Sequence, residues 1–294
     1  MNSTNFPGAV APLVSVVMCF LDPEPAYFQE AVESLQNQTY PKWELLLLDD
    51  GTTNGAEKLA RNYATSPQIR YAKTAGGHCG PASARNQAVQ MASGELIAFL
   101  DADDFWLPEK LSQQVQAMES HPTAALSYGG ILRWYNQAST DVAEVHTETL
   151  ESFQPRELLR SFLRNECVPG MSSVMVRREA FRTVGGFEES LRWAEDQTIS
   201  YKIGLRYKCL LLPGWQVKYR QHDASTTSRT DSDRRLFSNH LHFLSWIADY
   251  FHSEGVSDAV LWSDLRRLRR QYRWLAFQEK WVPRKLKAAC RRLF

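Results

Sequence analysis

The chain has 294 residues, of which 44% are hydrophobic, and a formal net charge of +1. This composition is typical of an ordinary globular protein that buries one large core or two modest ones. Its five cysteines (Cys19, Cys79, Cys167, Cys209 and Cys290) show neither a CxxC pair nor a regular spacing, which disfavours a disulfide framework or a zinc site and favours packing roles in a reducing compartment.

The first half of the chain alternates strand-like and helix-like segments. The run LVSVVMCFL is about half as long as a bilayer span and lacks the flank of a signal peptide, so it is interpreted as a strand. Further strands are predicted in WELLLLDD, IRYAK and ELIAFLDAD, with helices over 27–38, 56–64 and 82–91 and a helix stop at Gly94. This order predicts an α/β fold with a Rossmann-like, mainly parallel sheet flanked by helices.

The second half continues with a helix in EKLSQQVQAMESH, a strand in AALSYGGILRWY and a polar loop over 136–149. SSVMVRREAFRTVGGF predicts a strand, a short helix and a glycine turn, and another helix begins near Glu195. YKCLLLPGWQVKYR predicts a strand, a turn and a second strand. From about Ser232 onward the pattern is helical.

Acidic residues follow two of the predicted strands, at Asp49-Asp50 and at Asp101, Asp103 and Asp104. Parallel sheets bind ligands at the carboxyl ends of their strands. Because side chains alternate along an extended segment, Asp101 and Asp103 share a face and repel each other unless a cation lies between them. Mg²⁺ takes one or two such carboxylates together with substrate phosphates. The alternative, that these acids cap the next helix or solvate a loop, is the better reading of an isolated D-x-D.

The motif is not isolated, because six segments occur in a fixed order between about 14 and 225. They are VSVVMCFLD, QNQTYPKWELLLLDDGTTNG, GGHCGPASARNQAVQMASGELIAFLDADDFWLPEKL, SSVMVRREAFRTVGGFEESL, WAEDQTISYKI and YRQHDAS. Together they resemble family-2 glycosyltransferases of the GT-A fold. The resemblance implies inverting transfer of a sugar from a nucleotide-sugar, commonly UDP-linked, with Mg²⁺ or Mn²⁺ as cofactor.

The resemblance also implies a donor site. Asp50 would hydrogen-bond the nucleobase, since a carboxylate can accept from the uracil N3–H. Asp101 and Asp103 would hold the metal on the diphosphate and contact the ribose, and Arg85 would lie near the nucleotide, with Asn86 a weaker candidate. Asp50 could instead serve turn chemistry in DDGTTNG, and Arg85 could be a helix-surface arginine.

Other positions of the donor site depart from the family or are less defined. The first strand ends in CFLD rather than the family's common P-x-Y-N type, which places Cys19 and Asp22 at the edge of the nucleotide. Asp104 is a further candidate metal ligand. His222, in YRQHDAS, matches a histidine that reaches the metal or the diphosphate in several relatives, and Arg220 is a candidate phosphate contact. A lone histidine is more often structural.

Glu195 and Asp196 form the next acid pair, at the start of a predicted helix. Inverting transfer needs a base for the acceptor hydroxyl, and in the family the second acid of this pair is that base, which implies Asp196. The alternative is that both acids favour the positive end of the helix.

We predict a catalytic domain over 10–230, with a nucleotide-binding half (about 10–108) and an acceptor half (about 109–230), and a helical basic extension over 231–294. In the extension, helical spacing brings Leu265, Leu268, Tyr272 and Leu275 together among arginines, with Trp274 and Trp281 nearby. Such a segment either lies on an anionic membrane surface or caps the catalytic domain. A nucleic-acid partner is disfavoured because the body is acidic and no reading module is present.

The expected function is sugar transfer from a nucleotide-sugar donor to a hydroxyl of a glycan or lipid-linked acceptor, in bacterial cell-surface polysaccharide synthesis. The expected location is cytoplasmic, peripheral at the inner face of the cell membrane. The alternative is a GT-A domain that binds nucleotide-sugar without turnover. A dinucleotide-dependent oxidoreductase is disfavoured because no G-x-G-x-x-G follows the first strand.

Overall fold

The computed structural model describes residues 11–134, 142–145, 147–164, 166, 168–222 and 236–281. The chain divides into two units, the first comprising Met1–Leu158 and Cys167–Gln221 and the second comprising Leu159–Glu166 and His222–Phe294. The predicted domain boundary near residue 230 stays a prediction. Residues 282–294 of the predicted basic extension lie outside the described residues.

Apolar runs form the strands of the first half, and these strands alternate with helices as the sequence predicts. In β2 every residue but Glu44 is buried, as is typical of a parallel strand covered on both faces. A proline begins α1 and α3, where its missing N–H costs no hydrogen bond. The elements are β1 (Val14–Phe20), α1 (Pro25–Gln36), β2 (Trp43–Asp49), α2 (Ala56–Tyr63), β3 (Ile69–Lys73), α3 (Pro81–Met91) and β4 (Leu96–Phe99).

The second half contains one strand where the sequence predicts two. β10 (Lys208–Arg220) is continuous because the residues on both sides of Pro213 and Gly214 pair with the same strand in the same direction, with register shifts between them. The predicted loop over 136–149 also contains a short strand, β7. The elements before β10 are β5 (Phe105–Trp106), α4 (Lys110–Ser120), β6 (Ala124–Trp134), β7 (Val142–Val145), β8 (Glu151–Phe153), α5 (Glu157–Leu163), a 3₁₀ turn (Met171–Ser173), β9 (Met175–Arg177), α6 (Arg178–Thr183) and α7 (Gln197–Arg206).

The sheet has the order β3-β2-β1-β4-β9-β6-β10-β5, with β7 on β6 and β8 on β10. β1 pairs in parallel with β2 and β4, and β6 pairs in parallel with β10. β9 is antiparallel to both β4 and β6. Strands β4 and β10 therefore run the same way, and their carboxyl ends lie at one edge of the sheet.

The predicted helix stop at Gly94 is wrong. Gly94 instead permits a close approach of two backbone segments. α3 ends at Met91, with Ala92 as its C-cap. A Cβ at Gly94 would lie 2.4 Å from the carbonyl oxygen of Leu13 and 2.7 Å from the backbone nitrogen of Ser15, closer than any side chain tolerates. The glycine therefore lets the segment before β4 pack against the start of β1.

In the second unit, helices α8 (Leu236–Ser253) and α9 (Ala259–Trp281) pack against each other. The leucines of the predicted apolar stripe of α9 are buried, with Leu265 and Leu275 only 1% and 4% exposed, and Tyr272 is half-buried. Tyr272 of α9 stacks on His240 of α8, with 4.3 Å between the ring centroids. No helix in the described part of the chain is both long and apolar enough to cross a bilayer.

Candidate functional site

Asp50, directly after β2, holds the loop that precedes α3 and is 4% exposed. Its carboxylate accepts hydrogen bonds from the backbone N–H groups of Cys79 (2.8 Å) and Gly80 (3.0 Å), and Nδ1 of His78 lies 2.8 Å from it. Burial opposes ionisation, but these hydrogen bonds outweigh it and lower the pKa of Asp50 below its usual value. The carboxylate fixes this loop, and its contact with a nucleobase stays a prediction.

Asp49 and Asp22 hold the loop that follows β2. Oδ1 of Asp49 accepts hydrogen bonds from the backbone N–H groups of Gly51 (3.0 Å) and Thr52 (2.7 Å). Asp49 therefore stabilises this turn by the side-chain hydrogen bonds that the sequence suggested for Asp50. Asp22 has a φ of 44° and accepts from the N–H groups of Thr53 (2.5 Å) and Asn54 (2.8 Å). Those bonds lower the pKa of Asp22. Its role at the nucleotide stays a prediction.

Arg85, on α3, joins acids from two distant parts of the chain and is 9% exposed. Its Nη2 donates to Oδ1 of Asp101 at 2.9 Å, and its Nη1 lies 3.6 Å from Oε1 of Glu195. Burial disfavours the charged form, but the carboxylates of Asp101, Glu195 and Asp196 prevail and raise the pKa of Arg85. The helix-surface alternative for Arg85 is therefore wrong, because this guanidinium is buried among acids.

Asp196 is the N-cap of α7, and its carboxylate accepts from the N–H of Gln197 at 2.9 Å. The capping role is therefore real, and it leaves a second carboxylate oxygen for chemistry. Burial and then the charge of Glu195 raise the pKa of Asp196 to about 7, against the opposing charge of Arg85. A carboxylate with a pKa near neutrality is well matched to accept a proton at physiological pH.

The segment after β4 forms a turn, named here the acidic turn (residues 101–104). In it the N–H of Asp104 donates to the carbonyl of Asp101 at 3.1 Å. The side chain of Asp101 is 31% exposed, and Asp103 is partly exposed. Asp104 is 1% exposed, and its two oxygens accept from Oγ of Ser172 at 2.5 Å and from the N–H of Arg220 at 3.0 Å. Burial, together with the charges of Asp103 and Asp101, raises the pKa of Asp104 well above its usual value.

Two of the three acids in this turn fit a divalent metal. Mg²⁺ and related cations take oxygen ligands, often one or two protein carboxylates with phosphate oxygens and water. Asp101 and Asp103 are partly exposed and provide such carboxylates, whereas Asp104 is buried with both oxygens engaged within the protein. In the parts of the chain that the structure describes, no group of three His, Cys, Asp or Glu side chains has the arrangement of a metal site. A metal bound here would draw its remaining ligands from a substrate diphosphate and water.

Arg220, the last residue of β10, is 2% exposed and contacts the same turn. Its Nε donates to the carbonyl of Asp103 at 2.8 Å, and its Nη2 bonds the carboxylate of Glu30. The guanidinium of Arg220 thus contacts the backbone of the acidic turn at the Asp103 carbonyl. Its contact with a phosphate stays a prediction.

The remaining predicted site residues are Cys19 and His222. Cys19 is half-buried near the end of β1, and burial raises the pKa of its thiol to about 12, so the thiol is uncharged at neutral pH. His222 follows β10 and belongs to the second unit, and its metal role stays a prediction.

Cys79 is exposed, so the packing role predicted for every cysteine is wrong there. Cys167 and Cys290 lie outside the described residues.

Two polar side chains support the site by contacts that the sequence did not predict. Oγ of Ser172, in the 3₁₀ turn before β9, accepts from the N–H of Asp101 at 3.0 Å while donating to Asp104. Asn86 accepts from the N–H of Phe187 at 2.9 Å and donates to its carbonyl at 3.1 Å, which ties α3 to the segment before Glu195. No spacing rule identifies such partners, because each contact depends on the tertiary fold.

Residues 15–185, more than half of the chain, match the family model described as glycosyl transferase family 2. The chain belongs to glycosyl transferase family 2. This family-2 chain is 37% identical over 116 residues to the UDP-Glc:alpha-D-GlcNAc-diphosphoundecaprenol beta-1,3-glucosyltransferase WfgD of Escherichia coli, covering 36% of this chain and 41% of WfgD. It spans only 25% to 46% of the length of several curated relatives.

Solved structures resemble this family-2 chain over most of its length. S. aureus TarS residues 1–349 in complex with UDP-GlcNAc has a TM-score of 0.73 and 19% identity, covering 94% of this chain and 77% of that chain. The mannosyltransferase PcManGT from Pyrobaculum calidifontis, in complex with GDP-Man and Mn²⁺, has a TM-score of 0.64 and 18% identity, covering 95% and 76%. At these identities the likeness concerns the fold. The family and the GT-A fold predicted from the sequence are confirmed.

Proposed function

We propose that this chain is an inverting, metal-dependent glycosyltransferase that moves a sugar from a UDP-linked donor to a hydroxyl of a glycan or lipid-linked acceptor, in bacterial cell-surface polysaccharide synthesis. The observation that carries the proposal is the buried Arg85. It bonds Asp101 of the D-x-D pair Asp101 and Asp103, named here the metal motif, and it lies beside the acid pair that contains Asp196. WfgD supports the donor and acceptor classes through its name, and TarS supports the donor class through its UDP-GlcNAc complex.

In the proposed reaction Asp196 takes the proton of the acceptor hydroxyl as that oxygen attacks the anomeric carbon. Burial keeps its pKa at about 7, so the base form is available at neutral pH and is basic enough to accept the proton. Arg85 opposes any further rise of this pKa, and its charge also lies beside Asp101. The same guanidinium thus keeps the base ionised and orients a carboxylate of the metal motif.

We propose that Asp101 and Asp103 hold a divalent metal, for which the PcManGT complex with Mn²⁺ is supporting context. Bound there with the donor, Mg²⁺ or Mn²⁺ would neutralise negative charge that develops on the departing diphosphate. We assign Asp104 to support of the turn, because its oxygens accept from Ser172 and Arg220.

The proposal predicts that the correct donor stabilises the folded protein against heat. It also predicts that the enzyme releases UDP from this donor when acceptor is present. A ligand at 100 times its Kd stabilises the folded state by about 2.7 kcal/mol, which corresponds to a rise in Tm of several degrees. We expect one UDP-sugar with Mn²⁺ to produce this shift in a thermal-unfolding panel, and a coupled assay to detect UDP when acceptor is present. A shift without UDP release under any acceptor condition would favour the binding-only alternative. No shift with any nucleotide-sugar would contradict the proposal.

We also propose that the enzyme works at an anionic membrane surface, through the exposed side of α9. Leu265 and Leu275 are buried, so these leucines do not form the surface that would meet lipid. Trp274 and Phe277 are 58% and 65% exposed. Helical spacing places them on one side with three exposed arginines, and we name this surface the basic-aromatic face of α9: Arg266, Arg270, Arg273, Trp274 and Phe277.

Removing both rings of the basic-aromatic face, in Trp274→Ala/Phe277→Ala, should reduce sedimentation with vesicles of phosphatidylglycerol and phosphatidylcholine at least fivefold. The reason is that arginines near an anionic surface contribute only about 1 kcal/mol each, and interfacial rings must supply the rest. Val260→Ala, which removes an exposed apolar side chain elsewhere on α9, is the matched control and should bind normally. Wild-type protein that fails to sediment at low salt would remove the membrane proposal.

A further inference from the structure

Arg220 is a buried cation enclosed by aromatic rings. Its guanidinium carbon lies 4.1 Å from the ring centroid of Tyr27 and 4.1 Å from that of Trp134, and its Nη2 is ion-paired with Glu30. A buried charge is tolerated only when it is paired and hydrogen-bonded, and here both conditions hold. At 2% exposure the guanidinium is directed to the interior.

The same residue is bonded to the acidic turn at two consecutive positions. Its Nε donates to the carbonyl of Asp103 at 2.8 Å, and its backbone N–H donates to Oδ1 of Asp104 at 3.0 Å. The other oxygen of Asp104 accepts from Ser172, which in turn accepts from the N–H of Asp101. The backbone of the turn is therefore fixed at both ends, and this restricts where the Asp101 and Asp103 carboxylates can lie.

We propose that Arg220 is a positioning residue for the metal motif, which sets the carboxylates of Asp101 and Asp103 through the turn that carries them. This inference rests on the proposed function and replaces a phosphate contact by Arg220 with an indirect role. A lysine would keep the charge but lose the fork that bonds Glu30 and the Asp103 carbonyl together. Partners of this kind, one contact removed from a metal, typically change metal affinity by roughly 10- to 100-fold.

The test is Arg220→Lys, with free Mn²⁺ titrated by electron paramagnetic resonance in the presence of saturating UDP. We expect the Mn²⁺ affinity to fall at least tenfold, the affinity for UDP in EDTA to stay within twofold of wild type, and high Mn²⁺ to recover a large part of the lost kcat. A purely structural role would lower UDP binding and thermal stability without a selective change in Mn²⁺ affinity.

Arg70→Lys is the matched control, because Arg70 also bonds a carboxylate, Glu44 at 2.8 Å, and a backbone carbonyl, Met91 at 2.6 Å, away from the acidic turn. It should leave the Mn²⁺ affinity unchanged. Should Arg220→Lys fail to fold, Glu30→Gln removes only the charged partner at a partly exposed position and should lower Mn²⁺ affinity several-fold.

The outcomes separate this inference from the proposed function. If wild-type protein binds Mn²⁺ with UDP and the folded Arg220 and Glu30 variants bind it equally well, the positioning role is wrong and the metal site stands. If wild-type protein binds no Mn²⁺ with UDP, the metal site itself is wrong, and the inference falls with it.

Discussion

Asp196→Asn is expected to lower the rate of sugar transfer by roughly 10²- to 10⁴-fold, the usual contribution of a positioned general base. The amide keeps the size of the side chain and an oxygen that can accept from Gln197, so α7 keeps its cap. It cannot accept the proton of the acceptor hydroxyl. The measurement is kcat for UDP release, alongside the affinity for UDP, which should be unchanged.

The pH profile sharpens this prediction because the pKa of Asp196 is raised to about 7. Below that pKa the carboxyl is protonated and cannot act as a base, so wild-type kcat should rise with pH through about 7. Asp196→Asn should lose that limb. Glu195→Gln removes a neighbouring charge that raises the pKa, and its rising limb should therefore move to lower pH. A fully active Asp196→Asn protein, or an Asp196→Asn protein that keeps the wild-type rising limb, would refute the assignment of Asp196 as the base.

Asp103→Ala is the second change expected to have a large effect, because it removes one of two proposed protein ligands of the metal. Metal stabilisation of a departing charge is worth several kcal/mol, so we expect at least about a hundredfold loss of activity at low Mn²⁺. Chelation of the wild-type enzyme with EDTA should abolish transfer, and added Mn²⁺ should restore it. The measurement is the Mn²⁺ dependence of kcat in both proteins.

Asp104→Asn distinguishes a ligand from a support residue in the same turn. Asparagine preserves an oxygen for the N–H of Arg220 and loses the charge that burial disfavours, so Mn²⁺ affinity should fall less than in Asp103→Ala. Equal losses in the two variants would contradict the assignment of Asp104 to support of the turn. Activity that is insensitive to EDTA would contradict the metal site as a whole.

The parts of the fold that could be predicted from the sequence are those with strong local patterns. Strands β1, β2 and β4 are apolar runs with acids or turn residues after them, and local composition suffices to locate them. β10 was predicted as two strands because Pro213-Gly214 is a common turn signal. Its continuity depends on pairing with β6 on both sides of that dipeptide, which is information held outside the segment.

The candidate site divides in the same way. Carboxylates at strand ends are conspicuous in a sequence, but D-x-D-D spacing does not predict that the burial of these acids differs. Asp104 differs from Asp101 because Ser172 and Arg220, far along the chain, approach it. Helical spacing likewise predicts the leucine stripe of α9 as an apolar face, but it does not predict that α8 packs against α9.

The position of β9 has a consequence for how the sheet can be completed during synthesis. Strand β4 pairs on one side with β1, which precedes it, and on the other with β9, where Ala98 lies opposite Met175. One backbone edge of this apolar strand must therefore stay unpaired until more than seventy further residues have been synthesised. Such an unpaired edge invites association with other chains, so nascent protein truncated before β9 should aggregate or engage chaperones.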